Sequence, residues 1–196
     1  MNLPPANPPL LPLRPSRARL YWLALAIFTL DQITKGLIER LPAGANIVVI
    51  PHFFRLVQVY NRGAAFGFLQ NSSSPLTLGS LIAVSFVALA VVFTLLWQSS
   101  VSRRGGWALA MILGGACGNL FDRILHGRVT DFLLFYIGRY EWPAFNVADS
   151  AIVIGAALLI WEIAFERHPA SPQAAEVAAA PMPSAGPQTT HSGSHR

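Results

Sequence analysis

The hydrophobic residues of this chain form four long segments separated by more polar stretches. The clearest segment, Leu76 to Trp97, has 22 residues and no charged side chain. The others run from Leu20 to about Ile38, from Trp107 to about Leu125 and from Asp149 to Phe165. About 20 apolar residues are enough for a helix to cross a bilayer. The pattern therefore predicts an all-α membrane protein with four transmembrane helices.

The first segment has a second interpretation. Its short apolar core follows three arginines, and Ala43-Gly44-Ala45 resembles a cleavage site, as in a secretory signal peptide. The intervening stretch, however, would carry Asp31, Lys35, Glu39 and Arg40, which is too long and too charged for a cleavage region. A first spanning helix with Asp31 near its far end is the better interpretation.

Patterns typical of strands and disorder lie outside these helices. Residues 47–50 and 53–60 are rich in β-branched and aromatic side chains and predict two short strands. Residues 126–148 are expected to form a loop. Residues 1–19 are basic and proline-rich, and residues 167–196 are rich in Ala, Pro and Ser, so both tails are expected to be disordered. The predicted membrane domain is 20–166.

Composition supports the membrane assignment. The chain is 53% hydrophobic and only 12% charged, whereas soluble domains carry about 25% charged residues. Its net charge of +5 does not indicate nucleic-acid binding, because the basic residues are scattered among apolar segments. The single cysteine, Cys117, excludes a disulfide framework, and the five histidines lack metal-ligand spacing. We therefore expect no metal site built from Cys or His.

All four aspartates are expected at one face of the membrane. Four spans place both termini on one side, so Asp31, Asp122, Asp131 and Asp149 fall on the other, where the first and third spans end and the fourth begins. Arginines are denser beside the spans on the terminal side, which favours cytoplasmic termini. Ionisable groups at membrane depth are costly and usually functional. This face is the expected site of chemistry.

Asp131 and Asp149 form a candidate catalytic pair across the loop. Two neighbouring carboxylates cannot both ionise easily and so share a proton. One can then activate a water while the other protonates a carbonyl oxygen or a leaving amine. The alternative is structural, since Asp149 can cap the fourth helix and Asn146 the turn before it.

Structural alternatives also exist for the remaining aspartates. Asp31 and Lys35 have the i, i+4 spacing of a helical ion pair. Asp122 is a candidate helix cap, or a partner for Arg123, Arg128 or His126. We expect Asp31, Lys35 and Asp122 to support the framework rather than react.

Five sequence blocks resemble one family, the lipoprotein signal peptidases (signal peptidase II) of the bacterial inner membrane. They are Asp31-Gln32-Ile33-Thr34-Lys35, Asn61-Arg62-Gly63-Ala64-Ala65-Phe66, Gly114-Gly115-Ala116-Cys117-Gly118-Asn119-Leu120-Phe121-Asp122-Arg123, Val129-Thr130-Asp131-Phe132 and Phe145-Asn146-Val147-Ala148-Asp149. Each block alone is weak, but five in order on four spans are specific. The resemblance extends from about Arg17 to Phe165.

The resemblance implies a fold and an activity. It implies four transmembrane helices, a small periplasmic β-cradle at residues 43–66 and a periplasmic loop between helices 3 and 4. It implies an aspartic endopeptidase that cleaves diacylglyceryl-modified prolipoproteins before the lipidated cysteine, without a cofactor, and that globomycin-type inhibitors block. It places the catalytic pair at Asp131 and Asp149. The substrate-binding residues then correspond to Asn61, Gly63, Asn119, Arg123 and Asn146.

The expected setting is the inner membrane, with both termini cytoplasmic, the active site at the periplasmic face and lipid around a monomer. Two other functional classes remain, a transporter or proton relay that uses the same carboxylates and a non-catalytic assembly factor. A transporter or proton relay would favour acidic residues at mid-span, for which Glu162 is the only hint, and an assembly factor would have no catalytic pair.

Overall fold

The structure is a computed structural model that describes residues 16–63, 75–98 and 101–165. Most of the predicted N-terminal arm and the whole C-terminal tail lie outside these ranges. In chain order the described elements are α1 (Arg17–Glu39), β1 (Asn46–Ile50), β2 (Phe54–Asn61), α2 (Pro75–Trp97), α3 (Arg103–His126), β3 (Val129–Ile137), β4 (Tyr140–Glu141) and α4 (Val147–Phe165).

Within the described ranges, three of the four helices are long and apolar enough to cross a membrane, namely α2, α3 and α4. Most side chains of α2 and nearly half of those of α4 are exposed although these helices are strongly apolar, as expected for surfaces in contact with lipid. α1 has 23 residues but is not among the three. Its difference is charge, since it contains Arg17, Arg19, Asp31, Lys35 and Glu39.

Glycines of α3 allow the neighbouring helices to approach closely, as the small-residue pattern predicts. A β-carbon at Gly114 would lie 2.5 Å from the backbone oxygen of Ala24 in α1. A β-carbon at Gly115 would collide with the backbone oxygen of Ala148 in α4. Close backbone approach at small residues is a usual means of helix association in membranes. α3 is thereby held against both α1 and α4.

The four strands form one antiparallel sheet in the order β1-β2-β3-β4. The strands predicted at 47–50 and 53–60 are confirmed to within one residue. The prediction of a loop over 126–148 is wrong, because β3 and β4 occupy much of it. The first six residues of β3, except Leu133, are buried, so the strand lacks the alternation that marks a half-exposed strand. Its pairing with β2 could not be inferred from the local pattern.

Buried apolar packing lies near the start of α1, at the end of the helices remote from the sheet. It comprises Leu20, Val92, Leu96, Leu109 and Ala110. The opposite end, beside the sheet, contains the buried polar residues. The fold thus separates a polar site from the main apolar packing.

Candidate active site

The structure brings the four aspartates into one hydrogen-bonded region where the helices meet the sheet. Asp31 lies late in α1, Asp122 near the end of α3, Asp131 in β3 and Asp149 in the first turn of α4. Asp31, Asp122 and Asp131 are buried, whereas Asp149 is partly exposed. Four separate elements therefore each supply one carboxylate.

Asp131 is held by two asparagine amides. Asn146 donates from Nδ2 to one carboxylate oxygen at 2.7 Å, and Asn61 donates from Nδ2 to the other at 3.0 Å. Asn61 ends β2 and faces the start of β3, while Asn146 immediately precedes α4. Both oxygens of a carboxylate that is only 3% exposed are thus satisfied.

Asp149 caps α4, and its carboxylate also remains within the candidate site. Its backbone N–H donates to Asn146 Oδ1 at 2.9 Å, and its own Oδ2 accepts from the Asn146 N–H at 3.3 Å. This reciprocal arrangement is a capping box at the start of α4. The other oxygen accepts from Asn119 Nδ2 at 2.7 Å. Capping therefore orients the carboxylate without removing it from the site.

Lys35 joins the framework carboxylates to the candidate catalytic ones. Its ammonium lies 2.7 Å from both Asp31 and Asp122, and it donates to Asn119 Oδ1 at 3.0 Å. The second oxygen of Asp31 accepts from the Ala148 N–H at 2.9 Å. One buried ammonium thus ties α1 to α3, while Asp31 ties α1 to the start of α4.

The structure changes the expected partners of Asp122. The sequence suggested a cap or a pairing with Arg123, Arg128 or His126. Asp122 instead forms an ion pair with Lys35, and its Oδ1 accepts from Gln32 Nε2 at 3.0 Å. Both partners belong to α1, which packs closely against α3.

The two carboxylates of the candidate pair differ in environment. Burial raises the pKa of Asp131 to about 6, and the hydrogen bond from Asn61 opposes that shift. The charge of Asp149 raises the pKa of Asp131 further, while Asn146 and Lys35 lower it. Burial therefore favours the protonated form of Asp131.

Arg123 supplies a positive charge beside the candidate pair. Its Nη1 donates to the backbone oxygen of Asn119 at 3.2 Å. Its Nε is buried and has no hydrogen-bond partner among the described residues. The guanidinium interacts electrostatically with Asp149, Asp131 and Asp122. An unpaired donor beside two carboxylates is suited to a carbonyl or ester oxygen.

Gly63 contributes backbone rather than a side chain. Its N–H donates to Asn61 Oδ1 at 2.8 Å, which orients the amide that holds Asp131. Its φ of 106° is rarely adopted by other residues, and a β-carbon there would collide with Leu81. The rest of the predicted 61–66 block, residues 64–66, lies outside the described residues.

Two supporting contacts were not predicted. Gln32, beside Asp31 in the first sequence block, bridges to Asp122. Thr130 Oγ1 donates to Glu39 Oε1 at 2.5 Å and connects β3 to the end of α1. The position of Gln32 within the block was an available signal, whereas nothing local marked the Thr130 contact. No cluster of three His, Cys, Asp or Glu side chains suited to a metal ion occurs within the described ranges.

The comparisons with known proteins agree on one family. The family model described as Signal peptidase (SPase) II matches residues 23–165. A protein of Solibacter usitatus called lipoprotein signal peptidase is 43% identical over 149 residues, which cover 75% of this chain and 91% of that protein. One of Janthinobacterium sp. with the same name is 46% identical over 149 residues, covering 75% and 90%.

Solved structures give the same answer for the fold. A bacterial membrane enzyme determined by the in meso method at 1.9 Å matches with a TM-score of 0.67 and 28% identity, over 76% of this chain and 95% of that one. A second, determined at 2.3 Å, matches with a TM-score of 0.65 and 27% identity. The chain belongs to the signal peptidase II family and is a membrane protease. The transporter and assembly-factor interpretations are therefore wrong.

Proposed function

We propose that this enzyme, which removes the signal peptide from prolipoproteins, hydrolyses the scissile peptide bond with Asp131 and Asp149. The observation that carries the proposal is the asymmetric pair itself. Asp131 is buried, has a pKa raised to about 6 and is fixed by two amides. Asp149 is partly exposed and is fixed by Asn119. One carboxyl is suited to hold a proton and the other to accept one.

The roles of the two groups follow from this difference. The Asp149 carboxylate takes a proton from a water as the water oxygen bonds to the scissile carbonyl carbon. Protonated Asp131 gives its proton to the carbonyl oxygen, which forms a neutral gem-diol. The C–N bond then breaks as Asp149 gives its proton to the leaving nitrogen. Asp131 recovers a proton from one gem-diol hydroxyl, which becomes the new carbonyl, and the pair returns to its starting state.

Arg123 and the asparagines act as binding and positioning groups in this scheme. The unpaired Nε of Arg123 provides a donor for a substrate carbonyl or for an ester oxygen of the diacylglyceryl group. Asn61, Asn119 and Asn146 hold the carboxylates, and Gly63 holds Asn61. Substrate orientation then depends on groups whose own rotamers are fixed.

We propose four spans with both termini cytoplasmic and the carboxylates at the periplasmic face of the inner membrane. At 1.5 Å per residue, the 23 residues of α1 extend about 34 Å, against a hydrocarbon core of about 30 Å. Asp31 and Lys35 are buried and paired, which lowers the cost of their depth. Reporter fusions at Ser102 and Ser73 test the orientation, and activity of a periplasm-only reporter at Ser102 would reverse it.

Carboxylates at the periplasmic surface of the membrane are well placed to cleave a diacylglyceryl-modified prolipoprotein. The two acyl chains remain in the bilayer while the bond before the lipidated cysteine reaches the pair at the membrane surface. The domain predicted at 20–166 is extended by the structure to Arg17, where α1 begins. We further propose that this domain suffices as a monomer, that the two tails outside it play no part in cleavage, and that globomycin-type inhibitors occupy the carboxylate pair.

A cleavage assay tests the assignment of the pair. Purified wild type, Asp131→Asn and Asp149→Asn are incubated with a lipid-modified precursor peptide, and the shortened product is separated and quantified. Asp122→Asn is the matched control, since it alters a neighbouring carboxylate that we place in the framework. Cleavage by a well-folded Asp131→Asn at near the wild-type rate would exclude the proposal, as would an Asp122→Asn as inactive as Asp149→Asn.

A further inference from the structure

An open aromatic groove lies on the sheet, beyond the catalytic carboxylates. Its volume is about 420 Å³, within the size range of ligand-binding clefts. Phe135 forms its floor, with ring centroids 5.2 Å from Phe53 and 5.9 Å from Phe145. Trp142 and Tyr140 at its rim are 69% and 87% exposed. Such large exposed rings around a cavity indicate a binding surface.

The groove is continuous with the catalytic site through β3. Asp131 and Phe135 are four residues apart on this strand, which corresponds to about 13 Å at 3.3 Å per residue. The strand is irregular between these two residues, since the N–H groups of Phe132 and Leu133 both donate to the backbone oxygen of Phe145, at 3.0 and 2.8 Å. Phe145, at the groove, is followed directly by Asn146, which holds Asp131. An extended chain that starts at the carboxylates and follows this strand reaches the groove after about four residues.

The direction along β3 identifies the part of the substrate that arrives there. The signal peptide lies before the scissile bond and belongs with the membrane helices. β3 begins three residues after α3 ends, and its later residues lead away from that helix. The groove therefore lies on the side to which the chain after the scissile bond must run.

We propose that this groove binds apolar or aromatic side chains at about the third to fifth residue after the scissile bond, in the mature lipoprotein. The inference rests on the proposed function. The groove is chemically suited to be a peptide subsite, because its aromatic walls can accept an apolar side chain. The ion pair between Arg55 and Glu141 beside the groove offers partners for a backbone. A bilayer surface seated on the same rings is the competing occupant.

Substrate length separates the two occupants. Three lipid-modified precursor peptides are compared: one with Leu or Phe at the fourth residue after the bond, one with Gly at the third to fifth, and one that ends at the second. Trp142→Ala is expected to lower kcat/KM for the first peptide by roughly tenfold, mainly through KM. It should change the other two by less than about twofold, and Trp142→Phe should restore most of the loss.

Val48→Ala is the matched control variant, since it truncates an exposed apolar side chain of the same sheet outside the groove. It should leave all three peptides unaffected. An equal loss for all three peptides in Trp142→Ala would mean that the ring acts through the bilayer or the fold, and would overturn the subsite. No loss for the first peptide in either Trp142→Ala or Phe53→Ala would overturn it as well. Failure of wild type to cleave any peptide would instead overturn the proposed function.

Discussion

Lys35 is the residue whose removal should disturb the site most without touching the reacting groups. Its side chain is 4% exposed, and its ammonium lies 2.7 Å from both Asp31 and Asp122. Lys35→Met would leave two buried carboxylates without their counter-charge. Loss of one partner from a buried ion pair costs about 3–5 kcal/mol, because the remaining charge stays desolvated. We therefore expect Lys35→Met to lower the free energy of unfolding by about that amount.

For a chain of this size, about 1 kcal/mol shifts the melting temperature by roughly 2–4 °C, so the expected loss is about 6–20 °C. Thermal unfolding in detergent, followed by tryptophan fluorescence, measures it. Arg40→Met is the matched control, since Arg40 is an exposed cation five residues after Lys35, just past the end of α1. Turnover should fall without vanishing, because Asn119 loses the donor that orients it towards Asp149.

Compensation supplies the sharper test. In a Lys35→Met background, Asp122→Asn removes one of the two uncompensated charges and should recover part of the lost stability. A coupling energy of about 0.5–3 kcal/mol is typical of residues in one network. Lys35→Met melting within about 2 °C of wild type, or strictly additive losses in the double variant, would refute the assignment of Lys35 as the counter-charge of this network.

Four further predictions remain, three that rest on the contacts of the site and one that rests on the extent of the family match. Asp131→Asn and Asp149→Asn should each lower kcat by at least about a thousandfold, and the double variant should be hardly slower than either, because the pair acts as a unit. Since burial raises the pKa of Asp131 to about 6, kcat/KM should fall as pH rises through about 6. The stability contributed by protonated Asp131 should be complete below its unfolded value of 3.8 and be lost as pH rises through about 6, a dependence absent from Asp131→Asn in thermal melts. Deletion of 170–196, beyond the family match at 23–165, should leave cleavage and melting unchanged, and a large loss of either would show that the tail contributes to the domain.

The helices were predictable because lipid-facing surfaces need long apolar segments, which hydropathy detects directly. β3 was not, although its residues are β-branched and aromatic. Most of its first six side chains are buried, which removes the alternation on which a strand prediction depends. Its partner β2 is separated from it in sequence by two helices, so their pairing depends on tertiary structure and cannot be inferred from neighbouring residues. The position of Asp131 was predicted as a loop, whereas the structure fixes it in a paired strand.

The identities of the site residues were predictable, but the resemblance supplied most of them. Spacing alone left Asp149 open as a simple helix cap, and the structure shows that it does cap while still facing Asn119. The i, i+4 spacing predicted the ion pair of Lys35 with Asp31, but the second ion pair of Lys35, with Asp122, could not be read from the sequence. It depends on how closely α1 meets α3, where a β-carbon at Gly118 would lie 2.5 Å from Asp31 Oδ2. Even the methyl group of an alanine at position 118 would block this close approach of α1 to α3. In the sequence, the only local sign of the approach is therefore the glycine itself.

The arrangement explains how a chain can keep carboxylates ready for chemistry at the edge of a membrane. A buried carboxylate is costly unless its oxygens have partners, and here amides rather than cations supply those partners to Asp131. Amides satisfy the oxygens without the strong stabilisation of the charged form that a salt bridge would give. The only lysine beside the site is instead committed to Asp31 and Asp122, and reaches Asp149 through Asn119 alone. The lysine ammonium is thus hydrogen-bonded within the framework rather than to Asp131, and burial keeps the pKa of Asp131 raised to about 6 even with the Arg123 guanidinium nearby.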